Sequence, residues 1–209
     1  AEAARISSDG RLTMCGIAGF VGLEYSDGDA RARVRAMCDA ITHRGPDSEG
    51  VLVDRNVALG MRRLSVIDVM GGHQPIFNED RSVAVVFNGE IYNHRALRAE
   101  LERHGHRFTT HSDTEVLVHA YEQFGDEMAV RLHGMFAFAI WDFSRQSLFI
   151  ARDRVGMKPL SYAEVGGGLA FCSELRSLLA VIPERLRVAP ESVMQYLAFG
   201  YVPDPNSIF

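Results

Sequence analysis

Strands that come in antiparallel groups, helices that come in batches between them, and short Gly- or Asp-bearing turns predict an α+β fold: two antiparallel sheets packed together and covered by helices. A doubly wound sheet would instead alternate strand and helix along the chain. The 209 residues, 47% hydrophobic and 23% charged, are enough to bury the core that such a sandwich requires. That composition excludes disorder and collagen-like repeats.

The elements follow in order. From Cys15 the run Cys15-Gly16-Ile17-Ala18-Gly19-Phe20-Val21 is short, apolar and Gly-spaced, as in a buried strand that another backbone approaches closely. Val34, Met37 and Ile41 recur at helical spacing. The turn-rich His43-Arg44-Gly45-Pro46-Asp47 ends that helix, because the residue before a proline is pushed out of the α region. Residues 51–53, 57–61 and 83–87 read as strands, the last too continuously apolar to leave a face open. Asn93 is placed to cap a helix carrying Leu97 and Leu101. Ser112-Asp113-Thr114-Glu115 has the form of a capping box opening a helix with Val116, Ala120, Tyr121 and Phe124. Residues 136–141 and 147–151 make a hairpin about the polar turn 142–146, and a second hairpin turns at Gly166-Gly167-Gly168. There is no internal repeat and no low-complexity segment.

Charge and cysteine usage narrow the function. A formal net charge of −5 and a pI near 5.9 give no basic surplus for nucleic acid or an anionic membrane, so a small-molecule partner is expected. No apolar run approaches the roughly 20 residues of a membrane span, and Ala1-Glu2-Ala3-Ala4-Arg5 lacks the plan of a secretory signal. Cys15, Cys38 and Cys172 are widely spaced without a C-x-x-C pair, which suggests neither a disulfide framework nor a zinc site and fits a reducing cytoplasm. Position 1 is not Met, Met14 directly precedes Cys15, and residues 200–209 end without a polar tail. Residues 1–14 are therefore read as an extension, 15–190 as the domain, and 191–209 as the start of a linker into something longer.

Cys15 is the cysteine with chemistry to offer. Removal of everything through Met14 would leave a thiol and a free α-amine on one residue, and an amine of pKa about 7.7–8.0 is suited as base for a thiol of about 8.5. Taken alone, Cys15 reads first as a small core residue at a strand start. Asn88 and Gly89 close a buried strand, setting an amide side chain and a flexible backbone N–H side by side, as an oxyanion formed during amide cleavage requires. An Asn-Gly hairpin turn is the plain alternative. Arg63 at a strand end and Asp113 at a helix start would suit the two charged ends of an amino acid, or else a surface ion pair and a helix cap.

Taken together, Cys15-Gly16-Ile17, His43-Arg44-Gly45-Pro46-Asp47, Arg63-Leu64-Ser65, Asn88-Gly89-Glu90-Ile91-Tyr92-Asn93 and Ser112-Asp113-Thr114-Glu115 resemble the class II glutamine amidotransferases. Gly134-Met135-Phe136-Ala137-Phe138-Ala139, Arg152-Asp153-Arg154-Val155-Gly156 and Tyr201-Val202-Pro203 resemble the asparagine synthetase branch within them. The resemblance runs from Cys15 to Phe209. It implies an αββα N-terminal-nucleophile hydrolase sandwich, with Cys15 as nucleophile and Asn88 and Gly89 as oxyanion hole. For glutamine it implies Arg63 at the α-carboxylate, the stretch Leu64, Ser65, Val66 and Ile67 along the substrate, and Glu90 with Asp113 around the α-amine. It implies no cofactor in these residues, ATP and magnesium in a C-terminal synthetase domain that would use the ammonia, and a homodimer as one possible assembly. The fourteen residues before Cys15 are the departure from the family pattern. If they stay attached, the rival expectation is a catalytically silent regulatory or interaction domain.

Several other features are expected to be inert. His104, His106 and His111 lie close together in a polar, Gly-containing stretch without matching acidic or cysteine ligands, so a solvated loop is expected and no metal site. Gly166-Gly167-Gly168 lacks the strand-then-helix context and the lysine of a phosphate loop. Arg152-Asp153 is expected to be an ion pair, and Cys38 and Cys172 packing residues.

Overall fold

The computed structural model describes residues 5–6, 12–64, 72–182 and 186–209. β1 (Arg5–Ile6) and β2 (Leu12–Thr13) form a separate two-stranded ribbon before Cys15. Next come β3 (Gly16–Val21), α1 (Asp27–Asp39), β4 (Ser48–Asp54), β5 (Val57–Arg63), β6 (Ile76–Phe77), β7 (Val83–Ile91), α2 (His94–Arg103), α3 (Glu115–Phe124) and α4 (Met128–Arg131). β8 (Gly134–Asp142), β9 (Ser147–Arg152), β10 (Ser161–Val165), β11 (Gly168–Cys172), a 3₁₀ turn over Leu175–Ala180 and α5 (Pro190–Phe199) complete the order.

The strands make a five-stranded sheet, β10-β11-β3-β5-β4, and a four-stranded sheet, β6-β7-β8-β9, every pairing antiparallel. Alternation along each strand sorts the buried residues into three layers. Ala18, Phe20 and Ala58 pack under α1 with Val34, Met37 and Ile41. Val83, Val85, Phe87 and Ile91 pack with Leu97 and Leu101 of α2 and Val116, Leu117 and Ala120 of α3. Ile17, Val57, Leu59, Met61, Val86, Ala137, Ala139, Trp141 and Phe171 fill the space between the sheets. The expected two-sheet sandwich with outer helices is thus the observed architecture, and β7 is covered on both faces as its apolar run required. The close approach expected at Gly19 is also present: a Cβ there would stand 2.5 Å from the Ala58 carbonyl oxygen and 2.7 Å from the Phe171 ring.

Three local expectations are corrected. Asn93 makes no side-chain bond to α2; its amide instead accepts from His133 N and donates to the Arg131 carbonyl, both at 2.9 Å, tying the start of α2 to the approach of β8. The capping box is absent. Glu115 is buried and its carboxylate accepts from the backbone N–H and hydroxyl groups of Thr109 and Thr110, while Ser112 Oγ receives Thr114 N at 3.2 Å. Four donors from the preceding loop outcompete the single N-cap amide. Nor do Arg152 and Asp153 pair with one another. Arg152 donates to the carbonyls of Gly156 and Lys158 and to Asp204, whereas Asp153 accepts from the amides of Phe136, Met157 and Lys158. They brace the loop after β9 from its two sides.

Candidate active site

Strand alternation determines which side chains meet. Ile17 on β3 and Val57, Leu59 and Met61 on β5 face the inter-sheet layer, so Cys15 and Arg63, in the same parity, face it too. Gly16 pairs with Arg62, which sets both at one end of the five-stranded sheet. In the opposite sheet Val86 faces that layer, so Asn88 and Glu90 do as well. Asn88 lies opposite Ala137, and Ala137 shares a cluster with Ile17 against which Cys15 packs. The nucleophile candidate, the guanidinium and the amide therefore converge at one end of the sandwich.

Cys15 is partly buried, and its Sγ receives Leu64 N–H at 3.3 Å and lies 3.6 Å from the Leu64 carbonyl oxygen. Burial pushes the thiol up from its ordinary value, against the Leu64 amide and the positive charges of Arg63, Lys158 and Arg44. The sulfur is consequently a thiol at neutral pH, and attack requires a base. Arg44 Nε donates to the Cys15 carbonyl at 3.0 Å and its Nη1 reaches Glu174 at 3.1 Å, fixing the backbone that carries the sulfur.

The amide is held ready. Asn88 is 1% exposed, yet its Nδ2 makes no hydrogen bond to any described residue, and a buried donor left so is unfavourable by about 1–3 kcal/mol. Beside it, the N–H groups of Val83, Phe87 and Ile91 turn away from β8 onto Asn78 Oδ1, Gln74 Oε1 and Asp113 Oδ2, at 2.9, 2.6 and 2.9 Å. The N–H of Gly89 belongs to the same row and lies between two capped neighbours. Only glycine fits there, because a Cβ would collide with the Met135 carbonyl. Asp113 is 5% exposed. Burial pushes its carboxyl up, the Ile91 amide opposing and the Glu90 charge adding to the shift, so a nearby ammonium would be welcome. Arg63 is buried at the end of β5, and Leu64 is in place beside Cys15. Ser65, Val66 and Ile67 lie outside the described residues.

A model of the glutamine amidotransferase domain matches residues 14–209. The chain belongs to this family. Among its amidotransferase relatives, "Asparagine synthetase [glutamine-hydrolyzing] 1" of Bacillus subtilis is 42% identical over 197 residues, covering 93% of this chain and 31% of that protein. "Asparagine synthetase [glutamine-hydrolyzing] 2" of the same organism is 45% identical over 169 residues, covering 80% and 22%. The chain thus spans a third or less of the curated relatives it matches. Its fold is shared with the glutamine phosphoribosylpyrophosphate amidotransferase of B. subtilis, at a TM-score of 0.63 and 23% identity over 80% of this chain and 43% of that one. It is an αββα amidotransferase fold. A second solved structure, described as the allosteric regulatory enzyme of purine biosynthesis, gives a TM-score of 0.67 at 24% identity, again covering 80% and 43%.

Three further groups stand at this candidate site that sequence reasoning did not single out: Arg44, Gln74 and Lys158. Lys158 is 6% exposed, and its Nζ is 3.4 Å from Met14 Sδ, so its charge stands at the junction that precedes Cys15. A signal for it was available, since Lys158 is the single lysine among 22 basic residues. A protein that uses arginine everywhere else has a compact, point-like cation at this one buried position.

Proposed function

We propose that the domain hydrolyses the side-chain amide of L-glutamine through a γ-glutamyl thioester on Cys15, releasing glutamate and ammonia. The observation that carries the reading is the buried Asn88 Nδ2, unspent and facing the layer that Cys15 faces. In a chain that begins at Cys15, the α-amine takes the thiol proton as sulfur attacks the amide carbon. Asn88 Nδ2 and Gly89 N–H receive the oxyanion, and collapse expels ammonia, to which the amine returns the proton. Water then adds to the thioester with the same base, and glutamate leaves as the thiol reforms. Arg63 grips the α-carboxylate, while Asp113 and Glu90 hold the α-ammonium.

In the whole protein the ammonia would serve an ATP- and magnesium-dependent amidation of aspartate in a C-terminal domain. Three free thiols suit a reducing cytoplasm. One observation favours a silent form of the same domain: with residues 1–14 attached, Met14 lies against Lys158 and the Cys15 nitrogen is an amide, which accepts no proton near neutral pH.

Glutamate release tests both. A chain beginning at Cys15, verified by intact mass, should turn over glutamine, and its Cys15→Ala variant should lose at least about 100-fold while keeping the parent circular dichroism. The chain that retains Ala1 should be nearly inactive. Equal activity from the two chains would refute the α-amine as base.

A further inference from the structure

Away from that site, Glu79, His106, His119 and Glu122 each turn one ligand atom toward a common point, all within 4.8 Å of one another. They come from three segments: the turn between β6 and β7, the connection from α2 to α3, and one face of α3. His119 Nδ1 is 3.3 Å from Glu79 Oε2 and 3.4 Å from Glu122 Oε2, and His106 Nδ1 is 3.7 Å from Glu79 Oε1 and from Glu122 Oε2. Imidazolium–carboxylate pairs held by charge-assisted hydrogen bonds close to about 2.7–2.9 Å. These four nitrogen–oxygen distances are longer than that. Ligands at about 2.0–2.2 Å from a tetrahedral zinc are about 3.3–3.6 Å from each other, and the nitrogen–oxygen distances of 3.3–3.7 Å approach that within a set whose ligand atoms lie up to 4.8 Å apart.

The outer ring nitrogen of His106 fits the same reading. A ligating histidine ordinarily presents its other ring nitrogen to an oxygen acceptor. His106 Nε2 is 3.4 Å from Gln123 Oε1, and His119 Nε2 is 3.8 Å from Glu115 Oε1. His119 is 1% exposed, and its Nε2 has no hydrogen-bond partner among the described residues. Phe108 packs edge-on against it with ring centroids 4.4 Å apart. Arg107 N donates to Glu79 at 2.7 Å, orienting that carboxylate. Two neutral imidazoles and two carboxylates balance a dipositive ion, and a mixed nitrogen and oxygen set of four suits zinc better than magnesium or calcium, which take six or more oxygens.

The geometry points to a structural zinc-class site formed by Glu79, His106, His119 and Glu122, joining the β6–β7 turn to the base of α3. His106 belongs to the histidine group that sequence spacing left without acidic partners, because its partners arrive from other segments.

The test is zinc titration of the full chain, stripped with a chelator and carrying Cys15→Ala so that the thiol does not compete. Calorimetry should find one ion per chain with Kd below about 10 µM, and zinc should raise the unfolding temperature. Cobalt in its place should show the intense absorption of a tetrahedral site. His119→Ala opens the core, so the deciding variants are the more accessible Glu122→Gln and His106→Ala. Each should fold and weaken zinc binding at least about 10-fold. Weaker uptake by the parent, or uptake unchanged in both variants, would overturn the site. Glutaminase failure would not bear on it.

Discussion

At the scale of single residues, the site is organised around groups kept from satisfying themselves. Asn88 Nδ2 is buried and unspent; a donor so held does most for a charge that appears only during reaction. Asn88→Ala should therefore lower kcat for glutamine hydrolysis by about 10²–10³-fold with a smaller change in KM. Steady-state kinetics separate the two, and a loss confined to KM would make Asn88 a ground-state contact. Cys15, Arg63, Asn88, Gly89 and Asp113 were legible in the sequence as candidates because each sits in a short motif of unusual chemistry. Lys158 was not, because its importance comes from burial beside Met14, and burial is a property of the fold.

At the scale of elements, the loop after β9 shows where local reading stops. Arg152-Asp153 resembles an ion pair because the residues are adjacent and opposite in charge, but neighbours in a strand project to opposite sides. Each therefore finds its own partners. Burial resists ionisation of Asp153, but the amides of Lys158, Met157 and Phe136 outweigh it and hold the carboxyl below the usual range. In Asp153→Asn one oxygen becomes an NH₂ group facing an N–H donor whichever way the amide turns, so the variant should lose about 1–3 kcal/mol at neutral pH. Because the native value is depressed, this contribution is complete above the unfolded carboxylate range, about pH 4–5, and is lost as pH falls through the lower native value. Urea unfolding of both proteins from pH 7 downward measures it, and a difference independent of pH would refute the ionised role. The capping box before α3 failed for a related reason. Glu115 had the right spacing, but the loop carrying Thr109 and Thr110 folded back over it with four donors.

At the scale of the whole molecule, the layer order was legible because apolar periodicity is a demand for cover on particular faces. The continuous run of β7 could be satisfied only between helices and a second sheet, and the Gly19 gap by close neighbours, here the Ala58 carbonyl and the Phe171 ring. The positions of the sheet edges were less legible, because hydrogen bonds across an edge leave no periodic mark. On the side of β7 away from β8, the described partner strand β6 is two residues long and pairs only with Ala84 and Val85. Gln74 completes the work with its side chain, accepting from Phe87 N at 2.6 Å and donating to Phe87 O at 3.2 Å as a strand residue would. A free stretch of strand edge is a template on which a second molecule can add its own strand, and natural proteins guard against this. Gln74 is thus a guard of solubility as well as a brace for the amide beside it. Gln74→Ala should sediment as a monomer when dilute and associate as concentration rises, while the parent's behaviour at this edge stays unchanged; identical sedimentation of the two would deny the role. The same pair of bonds that steadies the strand beside the proposed oxyanion donors would then also keep one copy of the chain from growing onto another.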